Sequence, residues 1–474
     1  MAGLVIFATV VIFTVLSLTI GGPAVLLILA TLLAMILSVK SPDIGFVFAT
    51  VVGVGNGAIR RVAGWLDPSG VATQIVPVLP AVVLVFLYIT YFVLGRRSGA
   101  DANAPKPFML IAVVVVLAGV LPAGAGLLNN MLASALLLAG MLAFLLTYHR
   151  VISRGSVIRV IAWLGSLNAA YMIAQEINGL TPWDAYWVDR FGYSALYLGP
   201  NVVRPLGFGA SAAESAAMCA VLVGVAVARL RVTRNPIWFV PVSLGLYAVL
   251  TSGTRTFALP ALAAILLGLA IGRRRPLLVG LIAVGITLPL VVVFAARLLP
   301  AVSSPGAARV LTMLSGEENE QTSTVGIHQD LILTSLLRGL SSIIGTGSGQ
   351  VSILASAGLG SSEQDISNMA LMGGVLGVIA MLTIYISFVR RVPAAFTDEQ
   401  VAPFLFIAIA TAGQWMNVGY YGVTPLVWAA LGVVFTVRKR RYEVDSDWER
   451  RAWGKDGWSE QVRRGLRARS QSGR

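Results

Sequence analysis

The stretch LLNNMLASALLLAGMLAFLLTYHR, residues 127–150, is an apolar run that ends at His149 and Arg150. Further apolar runs alternate with short arginine-bearing links along the chain. A helix needs about 20 such residues to cross a bilayer. The chain is 57% hydrophobic and only 12% charged, whereas a soluble domain carries about 25% charged residues. No strand pattern of alternating polarity appears. We therefore expect an all-α polytopic membrane protein with about 12–14 transmembrane helices.

The apolar runs set the predicted organisation. The predicted spans are residues 4–20, 23–39, 44–59, 76–94, 107–121, 127–146, 157–176, 210–228, 236–251, 256–271, 277–296, 367–388, 401–418 and 423–437. They give N-terminal transmembrane helices (1–176), a first outer loop (177–209), core transmembrane helices (210–296), a large extracytoplasmic loop (297–366), C-terminal transmembrane helices (367–437) and a basic cytoplasmic tail (438–474).

Charge orients these spans. The net charge of +14 resides mostly in short links and in the tail, which is the positive-inside pattern and suits anionic lipids rather than nucleic acid. Both termini are predicted to be cytoplasmic, in a bacterial plasma (inner) membrane. The pair Arg60–Arg61 is the exception, because counting the predicted spans from a cytoplasmic N-terminus places this link outside.

Chemistry that needs thiols or metal ions is not expected. Cys219 is the only cysteine, so no disulfide can form within one chain. The two histidines, His149 and His328, are far apart and have no metal-ligand spacing. We expect neither a metal nor a cofactor.

The large outer loop contains a helical pattern. Apolar residues recur there at near-helical spacing: Ile327, Leu331, Leu333, Leu336, Leu337 and Leu340. This predicts an amphipathic helix that lies on the outer membrane surface or caps the bundle.

Four arginines fall on the predicted outer side: Arg204, Arg255, Arg309 and Arg338. A charge at the membrane boundary is a functional candidate. The planar guanidinium matches phosphate oxygens, so several arginines that converge on one cavity would bind a diphosphate. The alternative is an interfacial anchor whose side chain reaches the headgroups.

Two residues could act as a general base toward a sugar hydroxyl: Glu363 and, as a second choice, His328. Asp365 is better suited to capping the helix that follows it. The segment Gly345–Gly349 could turn backbone N–H groups toward an anion, or it could be a plain turn.

Local motifs around these residues resemble the O-antigen polymerase and ligase superfamily. Arg255 with Leu259 resembles the family's Arg-x3-Leu element, and Arg204 with Gly207 resembles its Arg-x-x-Gly segment. Arg338 to Gly349 is similar to the Arg-x10-Gly pattern of polymerases.

One further motif resembles the ligase pattern His-[Asn/Ser/Gln]-x9-Gly-x-x-Gly. Here Glu363–Gln364 precedes Gly374 and Gly377 at that spacing. Glutamate replaces the family's histidine, which favours a polymerase over a lipid A-core ligase. The resemblance covers roughly residues 200–380.

The resemblance implies a GT-C-like fold and a polysaccharide polymerase with an extracytoplasmic active site. Donor and acceptor would be glycans linked to undecaprenyl diphosphate, and a chain-length regulator is a possible partner. Transfer would be metal-independent and inverting. The alternatives are an O-antigen-type ligase, a transporter or flippase for lipid-linked glycans, and a non-catalytic assembly partner. A flippase is expected to carry buried charges and repeated halves.

Overall fold

The computed structural model describes residues 22–68, 70–94, 104–121, 126–191, 197–199, 202–268, 304–308, 310, 325–351, 364–416 and 422–437. This part of the chain is mostly helical. Four of its helices are long and apolar enough to cross a membrane: Leu127–Tyr148, Arg154–Asn178, Ala212–Thr233 and Asp365–Thr397. A bent pair, Pro42–Val54 with Asn56–Leu66, would make a fifth. The coarse prediction of a helical membrane protein is supported, whereas the total number of spans stays a prediction.

The described helices follow in chain order as α1 Gly22–Ser38, α2 Pro42–Val54, α3 Asn56–Leu66, α4 Val71–Ile75, α5 Leu79–Tyr88 (prolonged by a π turn to Val93), α6 Lys106–Val120, α7 Leu127–Tyr148, α8 Arg154–Asn178, α9 Pro182–Phe191, α10 Ala212–Thr233, α11 Phe239–Thr251, α12 Arg255–Gly268, α13 Val325–Leu340, α14 Asp365–Val389, α15 Val392–Thr397, α16 Ala402–Ala410 and α17 Thr424–Val437.

The bundle has two ends that differ in charge. Helix α8 runs antiparallel to α10, because Asn168 bonds Ser215 while Gly165 packs on Leu222. We call the end where α8 stops and α10 begins the site end. The opposite, basic end carries a run of arginines: Arg150, Arg154, Arg231, Arg390 and Arg391.

The predicted span 44–59 is two helices. Helices α2 and α3 meet at Gly55 with a bend of 66°. A Cβ at Gly57 would collide with the Gly209 carbonyl oxygen, so glycine lets another backbone approach the bend closely. The Ala58 N–H donates to the Phe208 carbonyl at 2.9 Å. The bend is therefore a docking point for the loop before α10.

The predicted span 367–388 is folded back on itself. Helix α14 is interrupted at Gly374, whose φ is +62°. The Tyr385 hydroxyl donates to the Asp365 carboxylate at 2.5 Å. Twenty residues of continuous helix would hold these groups about 30 Å apart. The limbs before and after Gly374 therefore lie side by side, and Asp365 reaches well toward the basic end.

The predicted span 401–418 is also shorter than expected. Helix α16 has nine residues, Ala402–Ala410, and turns follow it from Thr411 to Met416. Nine residues extend only about 14 Å, less than half a bilayer core. Gly413 at φ +85° reverses the chain there. The reversal brings Met416 to Asp365, where its N–H donates to the carboxylate at 2.6 Å.

The amphipathic helix predicted in the large loop forms as α13. Among its described residues, Ser335 and Gly339 are buried, whereas Leu333, Leu337 and Leu340 are exposed. Gly339 lies against the Ala370 backbone, so α13 and α14 approach each other closely there. The three exposed leucines form an apolar face that lipid can cover.

The first outer loop contains regular structure that the sequence analysis missed. Helix α9 occupies Pro182–Phe191, and a two-stranded antiparallel pair, β1 Tyr197–Gly199 and β2 Val202–Val203, follows it. The sequence analysis did not predict these strands, because two short paired strands leave no alternation to detect. The predicted spans 4–20 and 277–296 and the tail 438–474 lie outside the described residues.

Candidate functional site

The site end is organised around an ion pair between α3 and α9. The Arg61 Nε lies 2.5 Å from the Asp184 carboxylate, and both side chains are fully buried. Arg61 also donates to the carbonyl oxygens of Gly207 and Gly209. A charge buried this deeply requires a charged partner and filled hydrogen bonds, and Arg61 has both.

Asp184 accepts from three further donors on its second oxygen. These are the Tyr171 hydroxyl at 2.6 Å, the Gln175 amide at 2.7 Å and the Thr181 hydroxyl at 2.6 Å. The saturated carboxylate fastens α9 to the end of α8. We infer that the Arg61–Asp184 pair is structural, because both side chains are fully buried and their hydrogen bonds are made with the protein itself.

Side chains from α8 and α10 hold the loop that enters α10. Gln175 accepts from the Gly207 N–H at 2.8 Å, and Asn168 accepts from the Phe208 N–H at 2.7 Å. The Ser215 hydroxyl accepts from the Gly209 N–H at 2.8 Å. Every one of these backbone donors is satisfied, so the loop is rigidly positioned.

Glu214, fully buried at the start of α10, links this loop to α17. Its carboxylate accepts from the Ala210 N–H at 2.7 Å and from the Gly422 N–H at 2.8 Å. Ser211 caps the helix through the Glu214 N–H. A carboxylate in the first turn also benefits from the helix dipole.

Two of the predicted diphosphate arginines belong to segments at this end. Arg204 lies between β2 and the loop bonded to Arg61, and it is half-buried. Arg255 begins α12, next to the turn after α11; its side chain lies outside the described residues. Because α11 packs antiparallel on α10, with Gly245 against Cys219, this turn faces the same end as Glu214.

A short helical segment, 304–308, joins the same end. A Cβ at Gly306 would meet the Thr251 carbonyl oxygen, and the Ser304 hydroxyl donates to Glu176 at 2.6 Å. The predicted ligand Arg309 follows this segment but lies outside the described residues. Its neighbour Val310 is buried.

Arg338 occupies a different position. It is an exposed residue in the last turn of α13, on the part of the bundle formed by α6, α7 and α14. No described contact joins Arg338 to Arg204. Of the predicted bases, Glu363 lies outside the described residues, and only the backbone of His328 is described, within α13.

The glycine segment 345–349 closes the break in α14. Thr346 and Gly347 donate backbone N–H groups to Leu371 and Met372, at 2.8 and 3.1 Å. Ser348 is buried and bonds Asn130 of α7. These contacts assign the segment to structure, because its described N–H groups are directed at the protein rather than at a ligand cavity.

Asp365 does not cap α14 through its side chain; Gln364 is the N-cap residue. The described residues contain no group of three His, Cys, Asp or Glu side chains that could hold a metal ion. Cys219 is buried, and its sulfur accepts a hydrogen bond from the Asn168 amide at 3.2 Å.

Sequence reasoning missed Arg61 and Asp184. The available signals were the failure of Arg60–Arg61 to obey the charge rule and the helix-start signature of Pro182 followed by Asp184. The two arginines are part of helix α3 rather than of a loop, and the positive-inside rule counts loop charges.

No protein-family model, no curated protein and no solved structure matches the chain.

Proposed function

We propose that this protein is a membrane glycosyltransferase that lengthens a polysaccharide at the outer face of a bacterial plasma membrane. It transfers a growing glycan from undecaprenyl diphosphate to a lipid-linked repeat unit. The fold would be GT-C-like, with the site end outside and the basic end in the cytoplasm.

One observation carries the proposal: two arginine-bearing segments meet at the site end, on the opposite side of the bundle from the arginines of the basic end. The loop that bears Arg204 is fixed by the buried Arg61–Asp184 pair, and α12 begins with Arg255 at the same end. Arginine side chains beside an apolar bundle would suit a lipid-borne diphosphate.

The proposed chemistry is a single displacement at the anomeric carbon. Arg204 and Arg255, with Arg309, stabilise the diphosphate as it leaves, and a general base at the site end takes the acceptor hydroxyl proton. The new glycosidic bond forms as the bond to the diphosphate oxygen breaks. The anomeric configuration inverts, and neither a metal nor a nucleotide takes part.

The test compares Arg255→Lys with Arg231→Lys in cells that lack the native protein. Arg231 is exposed at the basic end, so its replacement preserves the topology and controls for expression. We expect Arg255→Lys to accumulate single repeat units on the lipid carrier, because lysine retains charge but loses the guanidinium fork. Full-length polymer in the null strain would reject the proposal.

A second candidate function, a transporter for lipid-linked glycans, is favoured by the broken helices. Discontinuous helices and buried carboxylates characterise transporter sites, and α14 has both, at Gly374 and Asp365. Against it, the α14 break is filled by residues 342–347 of the chain itself. Reconstituted vesicles distinguish the two: a transporter moves a fluorescent lipid-linked glycan across the bilayer without lengthening it, and Asp365→Asn abolishes the movement.

A further inference from the structure

Arg60 differs from its neighbour Arg61 in having an unsatisfied donor. Its guanidinium stacks over the Trp187 ring at 5.1 Å. Its Nε is buried and has no hydrogen-bond partner among the described residues. Arg60 as a whole is only half-buried and makes no hydrogen bond with the described residues, so its terminal nitrogens are the donors that suit an acceptor from outside the chain.

The aromatic side chains around Arg60 continue into an apolar edge. Trp183 lies one helical turn before Trp187 on α9 and meets Trp65 of α3 edge to face, with ring centroids 6.3 Å apart. Trp65 and Leu66 are 46% and 62% exposed at the end of α3. We call these five residues, Arg60, Trp65, Leu66, Trp183 and Trp187, the α3–α9 platform.

The platform rests on a rigid base. The buried Arg61–Asp184 pair joins the two helices directly beneath it. Glu214 lies within electrostatic reach of Arg60, but its two oxygens already accept from Ala210 and Gly422. Arg60 is thus held in place by Trp187 and forms no ion pair with a carboxylate among the described residues.

We propose that the α3–α9 platform binds the phosphate-bearing headgroup of a membrane lipid. Arg60 donates from its two terminal nitrogens to two phosphate oxygens, as the guanidinium geometry favours. The rings beside it present apolar faces to the adjoining chain, as tryptophans do at membrane interfaces. The inference holds whether or not the protein polymerises glycans.

Two lipid classes share this chemistry: glycerophospholipids and polyprenyl diphosphates. The probes are therefore farnesyl diphosphate, phosphatidylglycerol, farnesol and inorganic diphosphate, each titrated into the purified full-length protein in nanodiscs of phosphatidylcholine. A lipid-phosphate site binds one of the first two more tightly than the last two, because it uses both headgroup and chain.

The variant Arg60→Gln should weaken that binding about tenfold or more, the loss expected of a charge-assisted hydrogen bond. Arg60→Lys should fall between wild type and Arg60→Gln, and Trp187→Leu should weaken binding through lost stacking. The matched control is Arg190→Gln, because Arg190 also stacks on an α9 ring but already donates to Tyr186 at 2.6 Å.

Unchanged affinity in Arg60→Gln, or an equal loss in Arg190→Gln, would overturn the inference. Melting temperatures of all variants identify any that are misfolded, and Arg60→Lys then serves in place of Arg60→Gln. Glycan chain length is measured separately. Wild-type lipid binding without polymerisation would reject the proposed function alone, whereas polymerisation with unaltered binding by Arg60→Gln would reject this inference alone.

Discussion

The helix breaks at Gly55 and Gly374 both expose backbone groups that need hydrogen-bond partners, and different kinds of residues cover them. At each, backbone groups lose their helical partners inside an apolar bundle, where an unsatisfied group is costly. The Gly55 break is covered by loop 207–210, which is fixed by side chains that include the Arg61–Asp184 pair. The Gly374 break is covered by segment 342–347 through backbone hydrogen bonds.

The difference separates a scaffold from a candidate site. The Gly374 break is closed by backbone groups and glycines, so it places few reactive side chains at the surface. The Gly55 break is held by the buried Arg61–Asp184 pair, which also positions neighbouring side chains. Arg60, Arg204 and Glu214 belong to the segments around this pair. Functional groups are therefore better sought at the first break than at the second.

The largest effect is expected from Asp184→Ala, which leaves Arg61 buried without its charged partner. Loss of one member of a buried pair costs about 3–5 kcal/mol, so little folded protein should be recovered in detergent. The double variant Arg61→Met with Asp184→Leu should recover much of the melting temperature. Asp189→Ala, exposed on the same helix, is the control. Equal melting temperatures for the single and double variants would refute the ion-pair account.

Gly374→Ala should come next. Its φ of +62° disfavours a side chain, and the added Cβ would collide with the Ser342 carbonyl oxygen. Together these should cost about 2–4 kcal/mol, measured as a lower melting temperature. Gly155→Ala is the control, since a Cβ there meets nothing within 4 Å. If both variants have the melting temperature of the wild type, the backbone contacts at the Gly374 break contribute little to stability.

Gly57→Ala tests whether the first break positions function. Its added Cβ would overlap the Gly209 carbonyl oxygen and push the loop that follows Arg204. We expect about 1–3 kcal/mol of destabilisation and a shorter glycan at a temperature where the protein remains folded. At an equal melting temperature, Gly374→Ala should retain more activity. The reverse ranking would contradict the assignment of function to the first break.

Tyr171→Phe should have the smallest effect. It removes one of the donors to Asp184 and leaves Arg61, Gln175 and Thr181 in place. The expected loss is about 1 kcal/mol, seen as a small fall in melting temperature. Tyr247→Phe on α11, where the ring is 46% exposed, should change nothing. A loss as large as that of Asp184→Ala would mean that the hydroxyl, rather than the ion pair, holds the joint.

Local composition was enough to predict most of the helices. The predicted spans 127–146 and 423–437 closely match Leu127–Tyr148 and Thr424–Val437, because apolar length is a local property. The sequence analysis did not predict that 401–418 stops at Ala410, because the turn residues after it carry no charge and the reversal depends on the left-handed Gly413.

The candidate site was less predictable than the helices. Arg61 and Asp184 are 123 residues apart in sequence, and no periodicity reports such a pairing. For Gly345–Gly349 the sequence left an anion loop and a plain turn both open, because glycines that approach a phosphate and glycines that approach a helix have the same composition. The roles of Arg204, Arg255, Arg309, Arg338, Glu363 and His328 stay predictions.

The folded-back helix α14 also has a consequence for the order of biosynthesis. The hydrogen-bond partners of Asp365 are 20 and 51 residues further along the chain, at Tyr385 and Met416. At about 5–20 residues per second, the second arrives roughly 3–10 seconds after Asp365 is synthesised. Until then, burying the Asp365 carboxylate in lipid without this partner is energetically unfavourable. The first limb of α14 must therefore enter the bundle late, so the last third of the chain completes a core that the earlier helices leave open.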